Sequence, residues 1–320
     1  MSSTELAEYA NGYQYSLTQD MKQKISASVL MVGASLLFAT MSMCVKFASA
    51  DYSTGEIVFY RGVVGALLMA SLTGVRGGTL RTRLPAKHFW RSLTGVSALG
   101  LWFYAIAELP LATAVTLNYM SSIWMALLLI GGSALLGSGR VEARLVYTVL
   151  AGFIGVICIL QPTMEGHQLW GGLMGLLSGL LAAMAYLQVT ALGRAGEPED
   201  RIVFYFSVGS ISAGALVTSL INGWHPHTLQ GVGMLLAVGV LATLAQLMMT
   251  RAYRTGRMLV NASLQYLGIA WSFLYGVLLF DDPITGLALL GMGLIAMAGI
   301  AAARLRQSIT SANQIDTSLG

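Results

Sequence analysis

Ten apolar segments, separated by short polar breaks, follow one another along this chain. A membrane-spanning helix needs about 20 mostly apolar residues, so each segment predicts one transmembrane helix. The segments cover residues 26–50, 57–75, 86–107, 111–136, 141–161, 168–192, 202–222, 229–250, 258–280 and 284–303. Hydrophobic residues make up 56% of the chain and charged residues only 10%, which excludes an ordinary soluble domain. We therefore expect an all-α integral membrane protein with ten transmembrane helices.

The basic residues indicate how these helices are oriented. When each Lys and Arg is assigned to a loop, 16 of the 18 fall on one side of the membrane, Arg91 among them. By the positive-inside rule, the N-terminal tail (1–25) and the C-terminal tail (306–320) are both cytoplasmic, and the chain lies in the cytoplasmic (inner) membrane. The net charge of +4 thus reflects topology and predicts no nucleic-acid partner.

Two short motifs recur at nearly the same offset. The sequence IVFY at Ile57 to Tyr60 returns at Ile202 to Tyr205, 145 positions later, and the stretch TLNYMSSIW from Thr116 is echoed 147 positions later by SLQYLGIAW from Ser263. This offset is half of the helical part of the chain, so the repeated unit has five helices. An odd number of spans places the second unit upside down. We therefore predict inverted repeats at 26–161 and 168–305, with a substrate site near mid-depth between them.

Three passages also carry a family resemblance: VKFAS from Val45, EIVFYRG from Glu56 and ELPLATAVTLNYMSSIW from Glu108. In this order, on a five-plus-five pattern, they resemble the EamA-type branch of the drug/metabolite transporter superfamily. The resemblance covers residues 26 to 305 and implies a secondary transporter. Many relatives have a proline where this chain has Ser121 or Ser122, and that departure bears on how sharply the fourth segment bends.

Polar and aromatic residues at the two echoed motifs are the first candidates for the substrate site. An amide at this depth needs a partner or water, so a role in ligand binding is favoured over a purely structural one. For the two tyrosines, ligand contact and interhelical packing stay equal alternatives. Trp124 lies 140° from Tyr119 on the helical wheel, so one ring is expected to line the cavity while the other packs. The predicted residues are Asn118, Tyr119, Trp124, Gln265, Tyr266 and Trp271.

Lys46 and Arg61 are the charges that the sequence places clearly inside predicted helices. Charged groups within the membrane are costly and point to function, so both are candidate substrate-binding residues. Both also lie about 6 Å from the outer helix ends, where their side chains could snorkel to the interface. Asp51 and Glu56 are close enough in sequence to serve as their counter-charges.

No predicted helix has an Asp or Glu near its middle. A pump for organic cations usually needs such a carboxylate, whereas Lys, Arg, amides and aromatic rings suit a ligand with a carboxylate and an apolar body. We expect an alternating-access transporter of a small amphipathic metabolite, such as an amino acid, with export favoured. The alternatives are an uptake carrier for a vitamin or nucleoside-like metabolite, and multidrug or organic-cation efflux. Secondary candidate residues are Glu108, Gln188, Gln246 and Asn261.

The chain offers little to suggest other classes of protein. It has no catalytic constellation and no nucleotide-binding fingerprint, so we expect neither an enzyme nor ATP-driven transport, and no cofactor. His225 and His227, without other ligands, do not predict a metal site. The small-residue stripe at Gly171, Gly175 and Gly179 favours packing within one bundle, and a homodimer is the alternative to a self-sufficient monomer.

Overall fold

The computed structural model describes residues 27–135, 166–255 and 264–316, together with residues 147, 150–152, 154, 155, 158 and 261. Ten helices and no strand occur in these parts of the chain. They are α1 (Ala27–Ala48), α2 (Thr54–Val75), α3 (Pro85–Glu108), α4 (Leu111–Tyr119), α5 (Ser121–Leu135), α6 (Gly166–Arg194), α7 (Glu199–Val217), α8 (Leu229–Thr255), α9 (Leu267–Leu279) and α10 (Gly286–Asp316).

The observed helices follow most of the predicted segments within a few residues. The fourth segment is an exception, because Met120 divides it into α4 and α5. Most of the fifth segment, the start of the ninth and the tail at 1–25 lie outside the described residues. At the other end, α10 continues into the predicted C-terminal tail as far as Asp316.

Five described helices are long and apolar enough to cross a bilayer: α1, α2, α6, α7 with its π-helical extension, and α8. Helix α3 is of similar length but carries Lys87, Arg91 and Glu108, which make it less apolar. Helix α9 and the apolar part of α10 (Gly286–Ala298) are shorter than a full span. The chain is thus an all-helical membrane protein, while the count of ten crossings stays a prediction.

Helix packing is closest where α2 crosses α7 and where α3 lies along α6. A Cβ on Gly62 of α2 would lie 2.7 Å from the Ser207 carbonyl oxygen, and one on Gly214 of α7 would lie 2.6 Å from the Phe59 nitrogen. Only glycine permits backbones to approach so closely. Large apolar side chains elsewhere, such as Leu67 and Leu220, face outward, as lipid-facing residues do.

Candidate functional site

The two echoed motifs coincide with two interruptions of helical structure. Helix α4 ends at Tyr119 and α5 begins at Ser121, and the Ile123 amide donates to the Met120 carbonyl, three residues back. In the second motif, a turn at Gln265 and Tyr266 precedes α9. The fourth segment is therefore interrupted without a proline. Broken helices free backbone groups that must find other partners, and transporters use such breaks to build ligand sites.

Two tyrosines join one break to the other. The Tyr266 hydroxyl donates to the Tyr119 carbonyl oxygen at 3.3 Å, and the two rings meet edge to face with their centroids 6.2 Å apart. Gly268 lies directly beside the Tyr119 ring, where any side chain would collide with it. The side chain of one motif thus stabilises the interrupted backbone of the other.

A cluster of tyrosines extends this contact toward the centre of the bundle. The Tyr186 ring stacks on Tyr253 with centroids 5.8 Å apart, and Tyr253 also lies near Tyr119 and Tyr266. Gln265 lies within hydrogen-bonding reach of the Tyr186 hydroxyl. The amide and the phenol groups therefore share one polar region between α6, α8 and the two breaks.

The central cavity adjoins this cluster and contains two arginines. Arg61 of α2 and Arg91 of α3 are only 5% and 3% exposed. Their guanidinium carbons lie 4.8 and 4.3 Å from the centroid of the same ring, that of Phe206 on α7. Arg61 donates to the Ser210 hydroxyl at 3.4 Å, but its Nε, and the Nε and Nη1 of Arg91, have no hydrogen-bond partner among the described residues.

Neutral polar groups complete the lining of this cavity. Asn118 donates to the Ser178 hydroxyl at 2.9 Å, and Gln246, Tyr186 and Trp102 also face the space. The cavity measures about 50 Å³, enough for a few water molecules but far below the several hundred Å³ of a typical metabolite pocket. In this conformation the site is therefore too small to hold a metabolite.

The structure brings some of the predicted site residues together and separates others. Arg61, Asn118 and Gln246 line the cavity, and Tyr119, Gln265 and Tyr266 form the adjoining cluster. The two tryptophans, Trp124 and Trp271, are partly buried and do not line the described cavity. Three secondary candidates lie elsewhere: Gln188 accepts from Thr94, Asn261 donates to the Ala252 carbonyl, and Glu108 is half-buried at the end of α3.

Lys46 contacts neither the cavity nor the counter-charges expected for it. Its ammonium group donates to Asp282 at 3.2 Å and to the Leu109 carbonyl at 2.9 Å. Asp282 also accepts from the Leu111 amide at 2.7 Å, so it joins α1 to the start of α4. The prediction that Asp51 or Glu56 pairs with Lys46 was wrong, because Asp282, distant in sequence, is closer in space.

Arg91 is the charged cavity residue that the sequence did not predict. Charge counting assigned it to a cytoplasmic loop, yet it lies in the second turn of α3 and is buried. Its helical spacing carried a usable signal. Arg91, Gly95, Ala98 and Trp102 are spaced by four, three and four residues, which places them on one face of a helix, and all four line the cavity.

Polar contacts join separate parts of the chain at both ends of α2. At the Thr54 end, Glu56 accepts from the His225 amide at 2.8 Å and contacts the His225 ring nitrogen at 2.7 Å. At the Val75 end, Arg201 donates to the Thr79 carbonyl at 2.9 Å and to Glu197 at 2.8 Å. We call these the Glu56 latch and the Arg201 latch.

Glu197 is held as an anion in the Arg201 latch. Burial alone would raise the pKa of its carboxyl group, but hydrogen bonds from Thr82 and Arg201 and the nearby positive charge outweigh that effect and lower the pKa. The carboxylate therefore stays charged at neutral pH and keeps the loop before α3 attached to the start of α7.

Apolar helices that surround a small polar cavity, with broken helices at its edge, define a membrane protein of the transporter class. Comparison with known proteins agrees. The sequence profile of the EamA-like transporter family matches residues 25–161. The pseudopaline exporter of Pseudomonas aeruginosa is 31% identical over 282 residues, which cover 88% of this chain and 97% of that protein. The chain belongs to the EamA-like transporter family, as the sequence motifs indicated.

More distant relatives include a riboflavin transporter of Rhizobium johnstonii, 25% identical over 90% of this chain and 94% of that protein. An S-adenosylmethionine uptake transporter of Rickettsia bellii is 20% identical over 74% of this chain and 79% of that protein. A crystal structure 17% identical in sequence shares the fold, with a TM-score of 0.64 over 89% of this chain and 99% of the other. The chain is therefore a multi-pass inner-membrane transporter of a small molecule.

Proposed function

We propose that this transporter exports a small amphipathic metabolite that bears a carboxylate. The observation that carries the proposal is the pair of buried arginines beside the central cavity, neither of which is ion-paired to an acidic side chain in the described part of the chain. A buried guanidinium is costly without an anionic partner, and its planar N–H groups match a carboxylate. The apolar Leu99, Trp102 and Phe206 provide surface for the rest of the ligand.

Alternating access of two inverted repeats is the mechanism we infer. The Glu56 latch and the Arg201 latch support it, because Glu56 and Arg201 are separated by the same 145 positions as the two IVFY motifs. Each residue lies at the start of its helix and contacts a distant loop. Glu56 contacts His225, 169 positions away, and Arg201 contacts Thr79, 122 positions away. With both latches formed, the cavity is too small for a metabolite, so we infer that loading requires a rearrangement. Breaking one latch at a time would open the cavity to one side.

Export is the direction we favour, with both termini cytoplasmic. The pseudopaline exporter supports this choice, since it is more similar to this chain than the riboflavin and S-adenosylmethionine transporters described above. Those two proteins make uptake of a vitamin-like or nucleoside-like metabolite the second candidate. Organic-cation efflux is less favoured because arginines, and no acidic residue among the described ones, line the cavity.

Flux through the purified protein in liposomes tests the proposed function. The probes are an aromatic amino acid, a dicarboxylate and a quaternary-ammonium dye, each measured with and without a pH gradient. We expect transport of the carboxylate-bearing probes and none of the dye. Transport of the dye alone would refute the proposal and would make Glu108 the first residue to replace.

Variants assign that flux to the cavity. Arg91→Gln should reduce transport of the carboxylate probes at least tenfold, because a lost charged hydrogen bond costs about 1.5–3 kcal/mol. Arg251→Gln is the matched control, since Arg251 is exposed on α8 and away from the cavity. Equal flux in the two variants would contradict the assignment.

A further inference from the structure

We infer that the ligand carries two acidic groups, one bound by Arg61 and the other by Arg91. This inference rests on the proposed function and narrows its substrate class from carboxylates in general to compounds with two acidic groups that outnumber their amino groups. The Phe206 ring points to this inference, because the guanidinium carbons of both arginines lie within 5 Å of its centroid.

Charge balance is the first argument. The two arginines bring two buried positive charges that repel each other. Three acidic side chains in the described part of the chain are already paired with other residues: Glu56 with His225, Glu197 with Arg201, and Asp282 with Lys46. One carboxylate would compensate only half of the charge at the cavity. A ligand with two acidic groups compensates all of it.

The unused hydrogen-bond donors supply the second argument. Arg61 leaves its Nε without a partner in the described structure, and Arg91 leaves both Nε and Nη1. Within a guanidinium, Nη2 pairs with Nε on one edge and with Nη1 on the other, and either edge can hold a carboxylate with two parallel hydrogen bonds. Both guanidinium groups lie over the Phe206 ring, and their unpaired N–H groups remain available to a ligand. Two separate edges suit two separate carboxylates.

Geometry limits how far apart the two acidic groups can be. Since both guanidinium carbons lie close to one ring centroid, they are separated by no more than about 9 Å. A ligand whose two carboxyl groups are joined by a short carbon chain is compatible with that separation. Asn118 and Gln246, which are neutral, line the same cavity and can bind hydroxyl or amino groups on that chain.

Counterflow in proteoliposomes with an isosteric pair of probes tests the inference. L-glutamate has two carboxylates, whereas L-glutamine replaces one of them with an amide of the same shape. We expect the wild type to favour glutamate by about 10- to 100-fold in kcat/KM, the factor that one charged hydrogen-bonded pair provides. Arg61→Gln and Arg91→Gln should each reduce this preference to near one, and Arg251→Gln should keep it.

Each outcome decides between the alternatives. A wild type that transports the two probes equally overturns the inference, and so does a preference that survives in either cavity variant, because one arginine would then suffice. If aromatic amino acids are transported but glutamate is not favoured, the proposed function stands and only the requirement for a second acidic group is refuted. If no carboxylate is transported by the wild type, the proposed function itself fails.

A second measurement keeps the test decisive if a glutamine variant transports neither probe or does not fold. Arg61→Lys and Arg91→Lys keep the charge but lose the two-pronged edge. Titration of the wild type and of each purified variant with glutamate, followed by intrinsic tryptophan fluorescence, to which Trp102 in the cavity contributes, gives the ratio of the variant and wild-type affinities. We expect glutamate binding to weaken at least tenfold in both. Unchanged glutamate affinity in either variant overturns the inference.

Discussion

Substitution of Gly268 by alanine tests whether the two helix breaks are packed against each other. A Cβ at Gly268 would lie 2.9 Å from Cε2 of Tyr119 and closer still to its hydroxyl oxygen. Non-bonded carbon atoms prefer a separation of about 3.5–4.0 Å, so the ring must move by roughly 0.6 Å or more. Overpacking of this kind costs about 1–3 kcal/mol.

Thermal unfolding of the purified protein in detergent measures this cost. A loss of 1 kcal/mol lowers the melting temperature of a protein of this size by about 2 °C, so Gly268→Ala should melt about 2–6 °C below the wild type. Gly100→Ala is the matched control, because Gly100 also lies in a helix but a Cβ there meets nothing within 4 Å. Since alanine favours helix formation over glycine, this control should melt no lower than the wild type.

A double variant identifies the colliding group. Tyr119→Phe removes the hydroxyl oxygen, which is the atom nearest to the added methyl group, while the ring contacts remain. Combined with Gly268→Ala, it should recover part of the lost stability, so the two substitutions would be less destabilising together than their sum. Strictly additive effects, or a Gly268→Ala protein as stable as the Gly100→Ala control, would refute the packing of the two breaks.

Two further predictions concern the polar contacts at the ends of the bundle. Lys46→Met should destabilise the protein by about 1–3 kcal/mol, because Asp282 is left partly buried without its cation. Adding Asp282→Asn should recover part of that loss. A double variant as unstable as the sum of the two single variants would contradict the pairing. Glu197→Gln should lower the melting temperature at pH 7. Because the pKa of Glu197 is lowered in the folded protein, its stabilising contribution is present above the ordinary carboxyl pKa and is lost as the pH falls through the lowered value. The difference between wild type and variant should therefore shrink below about pH 4, and a difference independent of pH would exclude this role for the carboxylate.

Much of the class and helix layout could be predicted from the sequence because membrane burial depends on local composition. A stretch of apolar residues long enough to span a bilayer is recognisable without knowledge of its neighbours, and α2 and α8 begin within three residues of the predicted positions. Family membership was also recognisable, since it rests on short motifs in order. Asn118, Arg61 and Gln246, which line the cavity, could be predicted as site residues from the sequence, because polar residues are unusual at such depth in a membrane.

The partners of charged residues could not be predicted in this way. Lys46 pairs with Asp282, 236 positions away, and Arg91 packs on Phe206 of another helix. Such contacts depend on which faces of neighbouring helices pack against each other, and the hydropathy of a sequence carries no information about this packing. Sequence distance therefore favoured the wrong counter-charges for Lys46, and the charge count concealed the burial of Arg91.

The sequence by itself determined that this chain is a helical membrane protein of a transporter family, and it marked two matched motifs as unusual. Only the tertiary structure decided what those motifs do, because their meaning lies in a contact between them: the Tyr266 hydroxyl completes the backbone at Tyr119. It also decided which charges face the cavity. A periodic pattern describes one helix at a time, whereas a binding site forms where several helices meet, here at Arg61, Arg91 and Phe206.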